Sequence, residues 1–219
     1  MKKYEYIFFD FNGTILDDLK LSYNLLLELM DQNNIEHISI DKYREVFGFP
    51  VKGYYEKLGF KFPGDSFHKA SVYFIDTYNS RWKKETNLAK DVKEILTKLK
   101  KEGYKLYILT ASEKNLLMDQ LNYFDISNLF DGICASNDTH AKGKLEYGRE
   151  YLENNNIDPK KCIMIGDTVH DFEVANNLNM YPILYTNGHN SKEKLKDLSI
   201  NVDNYEEFYQ TVHKLNGDK

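Results

Sequence analysis

Three polar residues that could do chemistry stand directly after apolar runs of the sequence. Asp10 follows YEYIFF (4–9), Thr110 follows YKLYIL (104–109), and Asp167 follows CIMIG (162–166). Mostly apolar runs of this length are typical of parallel strands that are covered on both faces. The carboxyl ends of such strands lie at one edge of the sheet, where ligands bind. The sequence therefore predicts a single site that contains all three residues.

The first of these residues opens the stretch DFNGT (10–14). An apolar run that ends on an acid followed by Gly-Thr indicates a strand that presents a carboxylate nucleophile. Gly13 allows the backbone to approach a ligand closely. The residue two after the acid is Asn12, whose amide cannot exchange a proton. This raises the question of which group handles the proton if Asp10 reacts.

Strands and helices alternate through most of the chain. Two further runs, 132–135 and 181–185, read as strands, and the segments 88–103, 112–123 and 144–155 have helical periodicity. This alternation predicts a doubly wound α/β sheet with right-handed crossovers. Residues 17–87 show helical patterns alone, so we expect a helical bundle inserted after the first strand. Its aromatic residues should mostly form the bundle core, with one or two facing a substrate: Tyr54, Tyr55, Phe67, Tyr73, Phe74, Tyr78 and Trp82.

Composition excludes several classes of protein. The chain has 219 residues and a net charge of −5, from 34 acidic and 29 basic residues, which argues against nucleic acid as a partner. No apolar run approaches the ~20 residues that cross a bilayer. We therefore expect a cytoplasmic protein without a membrane partner. Cys134 and Cys162 lie in apolar segments and read as buried thiols.

Four motifs occur in order along the chain: DFNGT, Thr110, a lysine in HAKGKLE (140–146), and GDTVHD (166–171). Together they resemble the motifs of the haloacid dehalogenase superfamily, in particular its phosphoglycolate-phosphatase-like members with a helical cap. The resemblance implies a Rossmann-like α/β core formed by residues 1–16 and 88–219. It also implies an all-helical cap domain formed by residues 17–87.

The resemblance assigns roles around a metal. Asp10 would be the nucleophile and a ligand of Mg²⁺, and the backbone carbonyl of Asn12 would be a second ligand. Asp167 and Asp171 would complete the site directly or through bound water. The alternative for Asp171 is that it only caps the following helix, a position that Asp favours.

The same resemblance assigns the phosphoryl contacts. Thr110 and the backbone N–H of Ala111 would bind the phosphoryl group, and a lysine would neutralise its charge. Both Lys142 and Lys144 have suitable spacing, and we favour Lys144 because KLEYGREYL reads as a helix start. Ser112 is expected to begin the helix over 112–123, with a phosphate contact as the alternative, and Thr14 to serve as a structural cap.

Asn12 departs from the usual pattern, in which a second aspartate protonates the leaving alcohol and then activates water. Losing that help slows hydrolysis by roughly 10²–10⁴-fold. The substrate could have a good leaving group, another residue could replace the acid, or the domain could bind without turnover. His170 is the nearest replacement in sequence, and His37 and His68 are weaker candidates. Because the two side chains are nearly the same size, we expect Asn12→Asp to disturb the structure little.

These observations predict a magnesium-dependent phosphatase for a small phosphate monoester, phosphoglycolate-like, that acts through an aspartyl-phosphate. Its partner would be a small phosphorylated metabolite, and the protein would be a monomer or weak dimer. One alternative is a phospholigand-binding protein with weak or no turnover. The other is a carbon–phosphorus bond hydrolase, in which Lys52 or Lys57 would form a Schiff base.

Overall fold

The computed structural model of the protein describes residues 2–136 and 143–217. The strands in these ranges are β1 (Tyr6–Phe9), β2 (Leu16–Asp17), β3 (Asn87–Leu88), β4 (Lys105–Glu113), β5 (Gly132–Ser136), β6 (Cys162–Gly166), β7 (Tyr181–Tyr185) and β8 (Ile200–Val202). The helices are α1 (Leu19–Gln32), α2 (Ile40–Val46), α3 (Val51–Lys57), α4 (Ser66–Glu85), α5 (Val92–Lys101), α6 (Lys114–Tyr123), α7 (Lys144–Asn154), α8 (Val169–Asn177), α9 (Lys192–Leu195) and α10 (Tyr205–Asn216).

Strands β1 and β4–β8 form one parallel sheet in the order β5-β4-β1-β6-β7-β8. Helices connect successive strands, and this confirms the predicted parallel α/β sheet. β1 lies between β4 and β6. The strands that lead to or carry Asp10, Thr110 and Asp167 are therefore immediate neighbours.

The alternation of side chains along β1 explains why both faces of the sheet are covered. Ile7 and Phe9 point into an apolar cluster with side chains of α5 and α10, and the intervening Phe8 packs with side chains of α7 and α8. All three are fully buried. On α5, Val92, Ile95, Leu96 and Leu99 lie on one face of the helix and are buried, as the helical periodicity of this segment predicts.

Helices α1–α4 lie between β2 and β3, and we call residues 19–85 the helical insertion. The chain leaves and re-enters the sheet region through the antiparallel pair β2–β3, in which Leu16 pairs with Leu88 and Asp17 with Asn87. Within the insertion, α1 packs along α4, and side chains of α1–α3 form an apolar cluster. The insertion consists of helices and their connecting loops, with no strand among its residues, although its assignment as a separate cap domain of residues 17–87 stays a prediction.

Some elements differ from the sequence-based expectation. β4 continues to Glu113 through a register shift, and the Glu113 side chain accepts hydrogen bonds from the backbone N–H groups of Asn115 and Leu116. Glu113 therefore caps α6, and the prediction that Ser112 begins this helix is wrong. The short strands β2, β3 and β8 were also missed, because two or three residues carry no readable periodicity.

The two cysteines are buried, at 4% and 0% exposure for Cys134 and Cys162, which confirms that prediction. Burial raises the pKa of each thiol to about 12, so neither is a thiolate nucleophile near neutral pH. Among the described residues, no helix combines the length and apolar character needed to span a bilayer.

Candidate active site

Three buried carboxylates meet at the carboxyl edge of the sheet. Asp10 follows β1, Asp167 follows β6, and Asp171 lies in the first turn of α8. Their nearest oxygens all lie within 4.8 Å of one another. The predicted convergence of these strand ends thus brings the three acids together, although Asp10 is more than 150 residues from the other two in sequence.

Two glycines make this approach possible. Gly13 has a φ of 72°, in the left-handed region that side chains other than glycine rarely adopt. A Cβ at Gly13 would overlap the Asp167 carboxylate, and a Cβ at Gly166 would overlap Asp171. The backbone therefore lies against the carboxylates themselves.

Lys144 joins two of the three acids. Its Nζ donates to Asp10 Oδ1 and to Asp171 Oδ1, each at 2.5 Å, and the residue is 3% exposed. Burial alone would lower the pKa of Lys144, but the two carboxylates outweigh it and raise the pKa, so the lysine is charged. Lys144 is the first residue of α7, as the sequence indicated, whereas Lys142 lies outside the described residues.

Asp171 both caps α8 and contacts Lys144. The Thr168 backbone N–H and hydroxyl donate to Asp171 Oδ2, at 2.9 and 2.6 Å, and the Asp171 N–H donates back to Thr168. This arrangement is a capping box. The other oxygen of Asp171 remains on the site side, so the capping role and the metal-binding role predicted for this residue are compatible.

The electrostatics of the carboxylates fit a hard divalent cation. Burial, with Asp171 and Asp167 nearby, raises the pKa of Asp10 to about 8 despite the opposing charge of Lys144. Burial likewise raises the pKa of Asp167 to about 6, whereas Lys144 outweighs burial at Asp171 and lowers its pKa. Oxygen-only ligands suit Mg²⁺, and added positive charge would keep these acids ionised. Asp10, Asp167 and Asp171 are the side chains that could hold it.

Asn12 is held by three hydrogen bonds. Its Nδ2 donates to Asp18 Oδ2 at 2.7 Å and to the Tyr78 hydroxyl at 2.9 Å, and its Oδ1 accepts from the Ser112 hydroxyl at 2.6 Å. The amide is therefore oriented by α4, by β4 and by the turn that precedes α1. An amide with these partners neither gives nor takes a proton at the site.

Sequence reasoning missed or understated three buried residues. His189 Nε2 lies 3.1 Å from Asp18 Oδ1, and the His189 backbone N–H donates to Asp167 Oδ2 at 2.6 Å. Burial would lower the pKa of His189, but Asp18 outweighs it and raises the pKa to about 9. Thr14 Oγ1 donates to Asp167 Oδ1 at 2.9 Å, so it orients this acid. His189 comes shortly after the predicted strand 181–185, so the expectation that site residues follow the carboxyl ends of strands could have identified it.

A cavity of about 860 Å³ lies between the helical insertion and these residues. Asp10, Asn12, Lys144 and Asp171 line it, together with Thr110 and Ala111, the residues predicted to bind phosphate. His170 also lines the cavity, with its ring 5.0 Å from that of Phe49. His37 and His68 are exposed and do not line it.

The seven aromatic residues of the insertion named above pack in its apolar clusters, as predicted. That one or two of the seven face a substrate stays a prediction. Five of them also line the cavity: Tyr54, Tyr55, Phe67, Phe74 and Tyr78. Helical periodicity identified them as inward-facing, but the inner face of the bundle borders the cavity as well as the bundle core.

Comparison with known proteins agrees with this geometry. The family model for haloacid dehalogenase-like hydrolases matches residues 7–184. The chain belongs to the haloacid dehalogenase-like hydrolase family. This membership confirms the resemblance inferred from the four motifs, and with it the prediction that the protein is an enzyme.

Individual relatives of this haloacid dehalogenase-like hydrolase are distant in sequence. It is 28% identical over 209 residues to a phosphoglycolate phosphatase of Colwellia psychrerythraea, with 89% of this chain and 90% of the relative covered. It is 28% identical over 181 residues to the pyrophosphatase PpaX of Bacillus velezensis, with 80% of each covered. A haloacid dehalogenase-like hydrolase from Streptococcus pneumoniae shares the fold, with a TM-score of 0.82 and 21% identity over 96% of this chain and 99% of that one.

Proposed function

We propose that this haloacid dehalogenase-like hydrolase is a magnesium-dependent phosphatase that hydrolyses a small phosphate monoester through an aspartyl-phosphate on Asp10. The observation that carries the proposal is the position of the Asp10 carboxylate. It lines the cavity, it lies 2.5 Å from Lys144 Nζ, and it stands beside Asp167 and Asp171. The names of the relatives from Colwellia psychrerythraea and Bacillus velezensis support phosphate chemistry.

Each residue contributes a distinct task. A carboxylate oxygen of Asp10 attacks phosphorus while the ester P–O bond breaks and its electron pair leaves with the alcohol oxygen. Thr110 and the N–H of Ala111 bind phosphoryl oxygens, and Lys144 keeps positive charge beside the nucleophile. When held by Asp10, Asp167, Asp171 and the carbonyl of Asn12, Mg²⁺ supplies charge that offsets the repulsion between carboxylate and phosphoryl oxygens. Water then releases phosphate and restores Asp10.

The alternative chemistry with a Schiff base lacks support. Lys52 and Lys57 are exposed, and neither is among the described residues that line the cavity. Lys52 instead lies 3.9 Å from Glu56 on the outer surface of α3. Cleavage of a carbon–phosphorus bond would need one of these amines beside the substrate.

Release of inorganic phosphate from a panel of phosphorylated metabolites, with Mg²⁺ and with EDTA, tests the proposal. We expect sustained, Mg²⁺-dependent release that falls to background in Asp10→Asn. The exposed neighbour Asp17, which does not line the cavity, offers Asp17→Asn as a matched control that keeps its activity. Acid quenching should trap a phosphoryl group that hydroxylamine removes. Binding of panel members without release would favour a phospholigand-binding protein instead. The monomeric or weakly dimeric state and the cytoplasmic location stay predictions.

A further inference from the structure

The two walls of the cavity differ in chemistry. The sheet-edge wall carries Asp10, Asp171 and Lys144. The opposite wall belongs to the helical insertion and is mainly aromatic and aliphatic, with Tyr43, Phe47, Tyr54, Phe67 and Phe74 among its members. The remaining lining residues of the insertion are also uncharged, and their polar members are limited to hydroxyl and amide groups. Among the described residues, the wall that would face the leaving group has no charged side chain.

This wall selects against a second anionic group on the substrate. A carboxylate or a second phosphate on the leaving group would lose water and gain no cation from this wall in return, which is unfavourable. Lys144 already bonds to Asp10 and Asp171, and His189 lies against Asp18. Glu113, which also lines the cavity, would repel such a group. An apolar leaving group would instead gain free energy from burial against the aromatic rings.

Asn12 points to the same class of substrate by an independent route. Its amide is saturated by Asp18, Tyr78 and Ser112, so it offers no proton to a departing alcohol. An alkoxide departs slowly without a proton, whereas a phenolate carries the negative charge on its own because phenols are acidic, with a pKa of about 10. A phenolic leaving group can therefore depart without a proton from the residue at position 12.

We propose that the substrate is an aryl phosphate: a phosphate monoester whose leaving group is a small, uncharged aromatic alcohol. This inference rests on the proposed phosphatase function and adds the chemical class of the leaving group. The cavity volume of about 860 Å³ accommodates such a molecule, since ligand pockets of about 300–1,000 Å³ are typical for small molecules.

The reaction balances without an acid at position 12. Asp10 forms a bond to phosphorus as the bond from phosphorus to the aryl oxygen breaks, and the electron pair leaves on the phenolate. The phenolate then takes a proton from solvent. A water molecule attacks the phosphorus of the aspartyl-phosphate, loses a proton to solvent, and releases inorganic phosphate with Asp10 restored.

The test compares leaving groups in kcat/KM. Phenyl and 1-naphthyl phosphate represent the proposed class. Cyclohexylmethyl phosphate is apolar but has a poor leaving group, and phosphoglycolate and pyrophosphate carry a second anionic group. We expect kcat/KM for 1-naphthyl phosphate to be at least about tenfold higher than for cyclohexylmethyl phosphate, phosphoglycolate or pyrophosphate, which corresponds to about 1.4 kcal/mol. A preference of the parent protein for phosphoglycolate or pyrophosphate would overturn the proposal.

One variant pair tests the wall itself. Ile75 on α4 lines the cavity and is 55% exposed, so Ile75→Lys adds a cation there without burying it in a packed core. Val72, on the same helix, is 41% exposed and does not line the cavity, which makes Val72→Lys the matched control. Ile75→Lys should lower the ratio of 1-naphthyl phosphate to phosphoglycolate turnover by about tenfold, and Val72→Lys should leave it unchanged. Equal ratios in both variants would contradict the assignment of this wall to the leaving group.

Binding separates failure of this inference from failure of the proposed function. Calorimetry with 1-naphthylmethylphosphonate, which cannot be hydrolysed, should show tighter binding than phosphonoacetate in the presence of Mg²⁺. If no ester is turned over but this preference holds, the phosphatase function is wrong and the ligand class stands. If turnover is found but phosphonoacetate binds more tightly, the function stands and the ligand class is wrong.

Discussion

The side-chain amide of Asn12 donates a hydrogen bond to Asp18 Oδ2 across 2.7 Å. Asp18 Oδ2 also accepts from the Tyr78 hydroxyl, while Oδ1 accepts from the Gly13 N–H and lies 3.1 Å from His189 Nε2. Burial would raise the pKa of Asp18, but His189 and these hydrogen bonds outweigh it and hold the pKa below its ordinary value. Asp18 is thus ionised, and the residue at position 12 must be a donor toward it.

Exchanging the two side chains tests this relationship. The single variant Asn12→Asp should be about 1–3 kcal/mol less stable than the parent at pH 7, because it sets two carboxylates against each other. This contrasts with the small cost suggested by side-chain size alone. The double variant Asn12→Asp, Asp18→Asn restores one donor and one acceptor, and its amide oxygen can still accept from Gly13 and His189. It should recover most of the lost stability.

Urea unfolding and turnover give the two readouts for this exchange. If Asn12 is the only missing catalytic part, the double variant should gain on alkyl phosphates by up to roughly 10²–10⁴-fold and change little on aryl phosphates. A single variant as stable as the parent would show that the Asn12–Asp18 bond is not required. His170→Ala serves as the companion variant, since a large loss there would identify His170 as the proton donor.

Removing one acid of the triad should weaken Mg²⁺ binding. Asp167→Asn replaces an anionic oxygen ligand by a neutral amide. We expect the affinity for Mg²⁺ to fall by about tenfold to a hundredfold and most of the activity to be lost. Glu173→Gln is the control, because Glu173 is an exposed acid on α8 that does not line the cavity. Calorimetric titration with Mg²⁺ measures the affinities directly, and an unchanged Mg²⁺ dependence in Asp167→Asn would remove Asp167 from the metal site.

Arg44 should be a main anchor between the helical insertion and the core. From α2, its guanidinium donates to the backbone carbonyls of Thr186, Gly188 (3.0 Å) and Asn190 (3.2 Å), in the loop that carries His189. Arg44→Ala leaves these carbonyls without their donor and should lower the free energy of unfolding by about 1–3 kcal/mol. Lys42→Ala, which removes an exposed pair with Glu45 on the same helix, should change it by less than about 0.5 kcal/mol. Equal losses in urea unfolding would refute this role.

Asp131 should make stability depend on pH. It accepts from the Leu106 N–H at 2.9 Å, and Lys100 Nζ lies 2.5 Å away. Burial would raise the pKa of Asp131, but these bonds outweigh it and lower the pKa. Asp131 therefore contributes its full stabilisation at pH values above the pKa it has in the unfolded chain, about 3.9. This stabilisation is lost as the pH falls through the lower pKa that Asp131 has in the folded protein.

Asp131→Asn should accordingly cost about 1–2 kcal/mol at pH 7 and less near pH 3. Asp125→Asn is the control, because Asp125 is 90% exposed where it pairs with Lys93. Urea unfolding at both pH values measures the difference. A cost that does not shrink at low pH would show that the charge of Asp131 is not what stabilises the fold.

The sequence predicted the parts of the site that obey local rules. Asp10 and Asp167 follow strands that lie side by side, so strand patterns were sufficient to place them. The resemblance implied a lysine, and the helix pattern favoured Lys144 over Lys142. The bond between Asn12 and Asp18, and the contacts of Tyr78 and Ser112 with it, join the connection between β1 and α1 to α4 and β4. Periodicity shows that Tyr54 faces inward, but not whether it meets another side chain or a cavity. Such relationships arise only from tertiary packing.

The antiparallel pair β2–β3 has an evolutionary consequence. Because Asp17 and Asn87 face each other, the 69 intervening residues begin and end at one point of the core. The strands that precede Asp10 and Asp167 pair with each other directly, without any residue of this segment between them. Residues of this segment other than those that bond to the core, such as Asp18, Arg44 and Tyr78, can therefore change while Asp10 and Asp167 keep their positions, so the substrate can change without rebuilding the chemistry.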